Sequence, residues 1–140
     1  VYDTLGGLPD DATPEQRVRL VHRNKTGALI RASCRMGAIA GLAWRVVSTG
    51  AGTDGARSDD AAGVLSHPAL HAITAFGEAA GLMFQVVDDL VDVTQTSEHA
   101  GKRTGKDAEA GKLTYPGVLG VAGARAEVAR LHAAARDALA

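Results

Sequence analysis

Residues 84–93 read FQVVDDLVDV and contain three aspartates within an otherwise apolar run. On a helix, Asp88 and Asp92 lie one turn apart and point the same way, whereas Asp89 is rotated by about 100° from Asp88. Gln85 lies three residues before Asp88 and is expected to extend the stripe of Asp88 and Asp92. The pattern predicts a helix with an apolar body and an acidic face.

Three carboxylates this close repel one another, and burying them without a partner costs free energy. A cation reverses that cost, and Mg²⁺ is typically held by one or two carboxylates together with substrate phosphates. The alternative is a solvated helix face paired with Lys or Arg. Residues 101–112, GKRTGKDAEAGK, favour the cation, because glycines and lysines suit the binding of an anion such as a phosphate. The segment does not resemble a P-loop, since the sequence GxxxxGK[ST] is absent.

Composition indicates one globular unit. The chain has 140 residues, 46% of them hydrophobic, with few aromatic residues and a net charge of −1. These values are ordinary for a single domain and do not suggest nucleic-acid binding through bulk charge. The single cysteine, Cys34, excludes an internal disulfide and fits a reducing compartment, so we expect a cytoplasmic protein in which Cys34 is a small core residue.

Membrane and export segments are not predicted. No stretch approaches roughly 18 uninterrupted apolar residues, so no transmembrane segment is expected. The first residues, VYDTLGGLPDD, lack the basic and apolar regions of a signal peptide. The histidines show no metal-ligand spacing; they are His22, His67, His71, His99 and His132.

Helical periodicity begins in the first quarter of the chain. The sequence Thr13-Pro14-Glu15-Gln16 predicts a helix start with a capping box. The helical pattern runs to about Trp44, and glycine predicts a break near Lys25-Thr26-Gly27. Residues 48–66 are rich in glycine and serine and predict a flexible polar linker, with Asp59 and Asp60 as solvated loop charges.

A second long helix is predicted from Pro68 to about Thr94, because apolar residues recur there at spacings of three and four. A polar loop follows over about 95–115, and one or two Ala-rich helices run from Pro116 to the end. The sequence shows no β-alternation and no internal repeat. The predicted fold class is therefore all-α.

Two segments resemble a known family. Residues 81–120, GLMFQVVDDLVDVTQTSEHAGKRTGKDAEAGKLTYPGVLG, closely resemble the second aspartate-rich region of trans-isoprenyl diphosphate synthases, which include the farnesyl and geranylgeranyl diphosphate synthases. The shared pattern is FQxxDDxxD followed by GKxxGKDxxxGKxTxP. Residues 22–41, HRNKTGALIRASCRMGAIAG, are similar to the helix that carries the family's Lys-Thr pair. The two matches follow in order at plausible spacing and together anchor most of residues 1–140.

The resemblance implies a helical bundle of the isoprenoid synthase type, with Mg²⁺ at the mouth of a deep apolar cavity. It also implies a prenyltransferase of isoprenoid biosynthesis that joins an allylic diphosphate to isopentenyl diphosphate and makes a short-chain product such as farnesyl or geranylgeranyl diphosphate. A terpene cyclase shares the fold and the ionisation chemistry, but its second metal motif is normally of an Asn/Ser/Glu type. The lysine-rich loop favours chain elongation.

Matching positions carry the family's roles over to this chain. Asp88 is implied as a direct Mg²⁺ ligand, and Asp89 and Asp92 are implied to act on the metal less directly, through water or by orienting ligands. Lys25 and Lys102 are implied to contact the allylic diphosphate and, with the three aspartates, to form the catalytic set. The residues implied to bind substrate are Lys25, Thr26, Phe84, Gln85, Lys102 and Lys112.

Within that set, Thr26 and Gln85 are implied to support the cationic or alkyl part of the substrate, and Phe84 to shape the pocket near isopentenyl diphosphate. Lys112 and Asp107 are implied to lie in a loop that closes over the diphosphates. Structural roles are the alternatives: Thr26 bonding its own helix backbone, and Phe84 packing in the core. Solvated charges are the alternative for Arg103 and Lys106.

The family's first aspartate-rich motif is missing, since Asp10-Asp11 is followed by Ala-Thr-Pro-Glu without a third aspartate at the needed spacing. The chain thus resembles the C-terminal half of a synthase, as a fragment, as one part of a two-chain enzyme, or as a noncatalytic homologue. Alone it is expected to be inactive. Half a bundle should expose apolar helix faces, which predicts a homodimer or pairing with the missing N-terminal half.

Overall fold

α-Helices make up the regular structure of the computed structural model, which describes residues 11–48, 57–99 and 113–140. Within these ranges there are five helices and no strand, which confirms the all-α prediction. The helices are α1 (Pro14–Asn24), α2 (Thr26–Ser48), α3 (Arg57–Ser66), α4 (Pro68–His99) and α5 (Tyr115–Asp137).

The predicted capping box starts α1. The Gln16 backbone N–H donates to Thr13 Oγ1 at 3.2 Å, and the Thr13 N–H donates to Gln16 Oε1 at 2.8 Å, with Pro14 in the first turn. These bonds satisfy backbone donors that a helix start leaves open. The helix ends at Asn24 because Lys25 adopts a non-helical conformation, with φ −83° and ψ −115°. The predicted break between the first two helices is therefore confirmed.

Glycines set the packing of α2 against α4. A Cβ at Gly81 would lie 2.8 Å from Gly27 Cα, and a Cβ at Gly77 would lie 3.1 Å from Arg31 Cα and 3.2 Å from Cys34 Cβ. Numbers rise along α2 as they fall along α4, so the two helices are antiparallel. Main chains can approach this closely only where a side chain is missing.

An ionic contact joins α1, α2 and α4. Arg23 and Arg31 both donate to Glu78 Oε1, at 2.7 and 2.8 Å. Partial burial alone would raise the pKa of Glu78, but the hydrogen bonds from Arg31 and Arg23 outweigh it and lower that pKa below 4.5. The carboxylate thus stays charged and links the three helices at neutral pH.

The core lies between α1, α4 and α5. Its buried members are Val18, Leu82, Val86, Tyr115, Ala124 and Leu131. Burial of a large apolar side chain of this kind stabilises the fold by roughly 1.5–3 kcal/mol. Helix α5 starts with Thr114 as N-cap, whose Oγ1 accepts from Gly117 N–H at 3.2 Å, and it kinks at Gly120, where φ is 72°. One kinked helix therefore accounts for the one or two helices predicted in this region.

The structure corrects two boundaries. Residues 57–66 form α3, so the predicted linker over 48–66 is wrong for this part, and Asp59 and Asp60 lie within a helix. Alanine and leucine favour helix there, and α3 contacts both α2 and α4. Helix α4 continues past Thr94 to His99, so the predicted loop starts later than residue 95. Residues 49–56 and 100–112 lie outside the described ranges.

Helix α4 contains a candidate membrane span, although no transmembrane segment was predicted from the sequence. Residues Pro68–Thr94 are long and apolar enough to cross a membrane by length and composition, with a mean hydropathy of 1.3. The central helix of a bundle passes the same test, and α4 contacts each of the other four helices. One such helix is weak evidence for a membrane segment.

Candidate functional site

The break between α1 and α2, which carries Lys25 and Thr26, lies beside α4 because a residue on each side of it contacts that helix. On one side of the break, His22 Nε2 lies 2.7 Å from Asp89 Oδ2. On the other side, Gly27 lies against Gly81. Eight residues separate Asp89 from Gly81, which is about 12 Å along a helix. The predicted Lys-Thr pair is thus fixed from both sides beside the part of α4 that carries the aspartates.

A buried carboxylate joins three helices behind the site. Asp89 Oδ2 accepts from His22 Nε2 and also from the Tyr115 backbone N–H, at 2.9 Å. An ionised Asp89 carboxylate only accepts, so in that state the imidazole donates from Nε2. The His22 and Tyr115 rings lie 5.4 Å apart between centroids. Burial raises the pKa of the Tyr115 hydroxyl, and nearby Arg19 opposes that rise. Asp89, His22 and Tyr115 form one cluster, which we call the Asp89 cluster.

The two faces of α4 separate the predicted site residues. Asp88 and Asp92 are exposed, one turn apart, and Phe84 is 55% exposed on the same side of the helix. Asp89 is 4% exposed and Gln85 is 3% exposed. By helix rotation Gln85 lies within about 20° of Asp92, as the predicted stripe requires. It is nevertheless buried beside Asp89, one turn away, whereas residues 91–94 are exposed, so Gln85 does not share the exposure of Asp88 and Asp92.

A second ionic contact fixes α1 against α5. Arg19 Nη2 donates to Glu127 Oε1 at 2.9 Å, and Arg130 Nε donates to Glu127 Oε2 at 2.7 Å. The hydrogen bond from Arg130 lowers the pKa of Glu127 most, partial burial opposes it, and Arg19 lowers it further. The charged carboxylate holds α5 beside the helix that carries His22.

The carboxylates of Asp88 and Asp92 supply only part of a Mg²⁺ ligand set. Asp88 and Asp92 offer carboxylate oxygens on one exposed face, and one or two carboxylates are the usual protein share of a Mg²⁺ site completed by phosphates. Among the described residues, no group of three His, Cys, Asp or Glu side chains could hold a metal. Asp88 and Asp92 therefore suit a metal ion whose remaining ligands include a bound phosphate.

Several predicted residues lie outside the part of the chain that the structure describes. They are Lys102, Arg103, Lys106, Asp107 and Lys112. Their roles stay predictions. Tyr115, at the start of α5, donates its N–H to Asp89.

Apolar side chains are exposed on α2, as predicted for part of a bundle. Gly27 alone is buried within this fully described helix. The exposed large apolar residues of α2 are Leu29, Met36, Trp44 and Val47. Scattered apolar exposure is normal, but a row along one helix marks a contact surface. Cys34 is half-buried against Gly77 instead of lying in the core.

Sequence reasoning missed His22. The histidines were set aside because none had metal-ligand spacing, but His22 acts here as a hydrogen-bond donor to a carboxylate. A signal was present: His22 follows Val18 by four residues, and both are buried on one face of α1. A histidine at a core position needs a polar partner, and Asp89 was the available acidic residue in an apolar run.

Comparison with known proteins identifies relatives of this chain. The chain is similar to geranylgeranyl pyrophosphate synthase 10, mitochondrial, of Arabidopsis thaliana, with 37% identity over 93% of this chain and 31% of the relative. It is similar to farnesyl diphosphate synthase of Escherichia coli, with 38% identity over 90% of this chain and 35% of the relative. A third relative is the chloroplastic heterodimeric geranylgeranyl pyrophosphate synthase large subunit 1 of Arabidopsis thaliana, with 36% identity over 89% of this chain and 28% of the relative.

The chain spans about a third of the length of these curated relatives. No solved structure matches it significantly. Residues 55–138, which include all of α3, α4 and α5, match the family described as Polyprenyl synthetase. With more than half of its residues in that match, this chain belongs to the polyprenyl synthetase family.

Proposed function

We propose that the chain is part of a prenyltransferase that joins an allylic diphosphate to isopentenyl diphosphate and makes a short-chain product, farnesyl or geranylgeranyl diphosphate. The observation that carries this proposal is the exposed pair Asp88 and Asp92, on the stretch of α4 against which Lys25 and Thr26 are fixed. Carboxylates for a metal and a lysine for a diphosphate are the two groups that ionisation of an allylic diphosphate needs. The names of the relatives support the same class of reaction.

Asp88 and Asp92 would hold Mg²⁺, and Mg²⁺ when bound offsets the charge that develops on the departing diphosphate. Lys25 is proposed to bind the same diphosphate, and so are Lys102 and Lys112 from segment 100–112. The C–O bond of the allylic substrate breaks, and its electron pair leaves with the diphosphate. The alkene of isopentenyl diphosphate attacks the cation, and a proton is then lost to the released diphosphate.

Phe84 and Thr26 are proposed to contact the hydrocarbon and the cation. Phe84 is exposed next to Asp88, so its ring can form the wall of an apolar cavity. The Thr26 hydroxyl offers a dipole to a cation at the start of α2. Gln85 is buried, so a substrate contact through its amide requires a cavity that begins at the buried face of α4.

The family's first aspartate motif is not among these 140 residues, so the complete site needs a further contribution. A homodimer, or pairing with a segment that carries the first motif, is proposed on the basis of the exposed apolar residues of α2. A second candidate is a partner-dependent subunit, which the heterodimeric relative favours. We place the protein in the cytoplasm because of its single cysteine.

The test is an assay of the full-length product of the gene with labelled isopentenyl diphosphate and allylic primers of increasing length. Mg²⁺-dependent prenyl transfer is expected, and Asp88→Asn should raise the Mg²⁺ concentration for half-maximal rate at least about tenfold. Label in a cyclised hydrocarbon, with none in a longer diphosphate, would favour a terpene cyclase instead. Absence of both products, with activity restored by a co-purifying partner, would favour the subunit.

A binding experiment tests the phosphate-binding loop without relying on turnover. Mg²⁺ with inorganic pyrophosphate should protect segment 100–112 from limited proteolysis, and Lys102→Ala should remove most of that protection. Mg²⁺ alone is the control. Unchanged cleavage of this segment with both ligands present would show that it is not a phosphate lid.

A further inference from the structure

Asp89 and His22 form a buried pair at the centre of the Asp89 cluster, 2.7 Å apart between Oδ2 and Nε2. We propose that the two are positioning residues: together they hold the end of α1, α4 and the start of α5 at a fixed distance, and Asp89 does not bind the metal directly. The inference rests on the proposed function for its catalytic consequence, but the contacts themselves do not depend on it.

The burial of the pair argues against a direct metal role. Asp89 and His22 are each 4% exposed, and Asp89 Oδ2 already accepts from His22 and from the Tyr115 N–H. Mg²⁺ demands near-ideal octahedral geometry and dehydrates reluctantly, so it favours carboxylates that water can reach. Asp88 and Asp92, which are both exposed on α4, meet that requirement.

Each partner in the cluster is next to a residue of the proposed site. His22 comes three residues before Lys25, and Asp89 follows Asp88 directly. Tyr115 begins α5. One carboxylate thus sets the spacing between the end of α1, which precedes Lys25, the turn of α4 that carries Asp88, and the start of α5.

Small displacements are enough to matter for catalysis. Neighbouring residues on a helix differ by about 100° of rotation and 1.5 Å of rise, so a modest rotation of α4 redirects Asp88. A site must be held to within about 0.5 Å and 10–20°, and a misplacement of 1 Å can lower a rate about 100-fold. A buried hydrogen-bonded pair can provide that precision, because packing and the hydrogen bonds restrict both side chains.

The experiment compares His22→Gln with His22→Leu in the full-length product of the gene. Gln can place its amide N–H where Nε2 lies and donate to Asp89, whereas Leu fills the space without a donor. We expect kcat to stay within about fivefold of wild type for His22→Gln and to fall at least about 30-fold for His22→Leu. The Mg²⁺ concentration for half-maximal rate should change less than about twofold in both. His132→Leu, at an exposed position of α5, is the matched control.

Hydrogen–deuterium exchange gives a readout that does not need activity. His22→Leu should speed exchange at residues 24–27 and 115–117 together, and His22→Gln should leave both slow. Equal kcat or equal exchange for the two variants would overturn the positioning role. A tenfold rise in the Mg²⁺ requirement of Asp89→Asn, matching that of Asp88→Asn, would show that Asp89 is a ligand and would overturn it as well.

The kinetic comparison and the exchange experiment together separate this inference from the proposed function. If the wild-type protein transfers no prenyl group, the proposed function is wrong, and exchange at the two segments still decides whether the cluster holds them together. If the wild-type protein is active and His22→Leu retains its kcat, the proposed function stands and the positioning role is wrong.

Discussion

The two faces of α4 between residues 82 and 92 differ more than their sequences suggest. One face carries Gln85, Val86 and Asp89, all buried, and its carboxylate has two hydrogen bonds within the fold. The other carries Phe84 and Asp88, both exposed. Each face combines apolar side chains with an acid, but one acid stabilises the fold and the other remains accessible to a ligand. An acidic motif can thus place one carboxylate inside the fold and leave the next exposed within a single helical turn.

The largest effect expected is the loss of stability on Asp89→Ala. Removing this carboxylate leaves the His22 N–H and the Tyr115 N–H buried without an acceptor, which should lower the free energy of unfolding by about 3 kcal/mol. Asp88→Ala, one residue away on the exposed face, should change it by less than about 0.5 kcal/mol. Urea titration followed by circular dichroism measures both, and equal losses would remove the distinction between the faces.

The next effect concerns the close contact of α2 and α4. Gly81→Ala places a Cβ 2.8 Å from Gly27 Cα, so the helices must separate, at a cost of about 1–3 kcal/mol. Gly41→Ala is the matched control in an exposed part of α2, where nothing lies within 4 Å, and it should stabilise by about 0.5–1 kcal/mol. Thermal unfolding of the two variants should shift in opposite directions. A gain from Gly81→Ala would show that the contact is loose.

A smaller effect depends on pH. Because the pKa of Glu127 is lower in the fold than its ordinary 4.5, its ion pairs stabilise the protein above that value, and this contribution is lost as pH falls through the lowered pKa. Glu127→Gln should therefore cost up to about 1 kcal/mol at pH 7, and much less near pH 3. Asp137→Asn, exposed at the end of α5, is the control. A Glu127→Gln deficit of equal size at both pH values would contradict this account.

The smallest effect on stability is expected at the exposed apolar residues of α2. Trp44 is 71% exposed, so Trp44→Lys should change the free energy of unfolding by less than about 0.5 kcal/mol. It should nevertheless reduce self-association in light scattering and the fluorescence of a hydrophobic dye. Ser33→Lys adds the same charge at an exposed position of α2 without removing apolar surface. Equal association of both variants with wild type would show that Trp44 lies outside the contact surface.

Local sequence signals predicted much of the fold. The Thr13 to Gln16 capping box, the break at Lys25 and the start of α4 at Pro68 all depend on nearby residues, and the structure confirms them. Helix α3 was missed because glycine and serine outnumber apolar residues in the segment before it. Contacts with α2 and α4 are available to α3, and local composition does not report such contacts.

The inward face of α4 could not be read from the sequence. A helical projection separates Asp88 from Asp89, but apolar residues border both: Val87 and Val91 on the exposed side, Leu82 and Val86 on the buried side. The partners that decide the matter, His22 and Tyr115, lie 67 and 26 residues from Asp89 along the chain. Only the packed fold brings them to the same carboxylate.

The contact of Gly27 with Gly81 has a consequence for anyone who would redesign this region. Because it consists of main-chain atoms, its length is set by atomic radii instead of by a choice of rotamer. A library that varies side chains around the Lys-Thr pair should keep the spacing of the two helices, provided that both glycines, His22 and Asp89 stay fixed. A single methyl group added at Gly81, by contrast, would push the two helices apart.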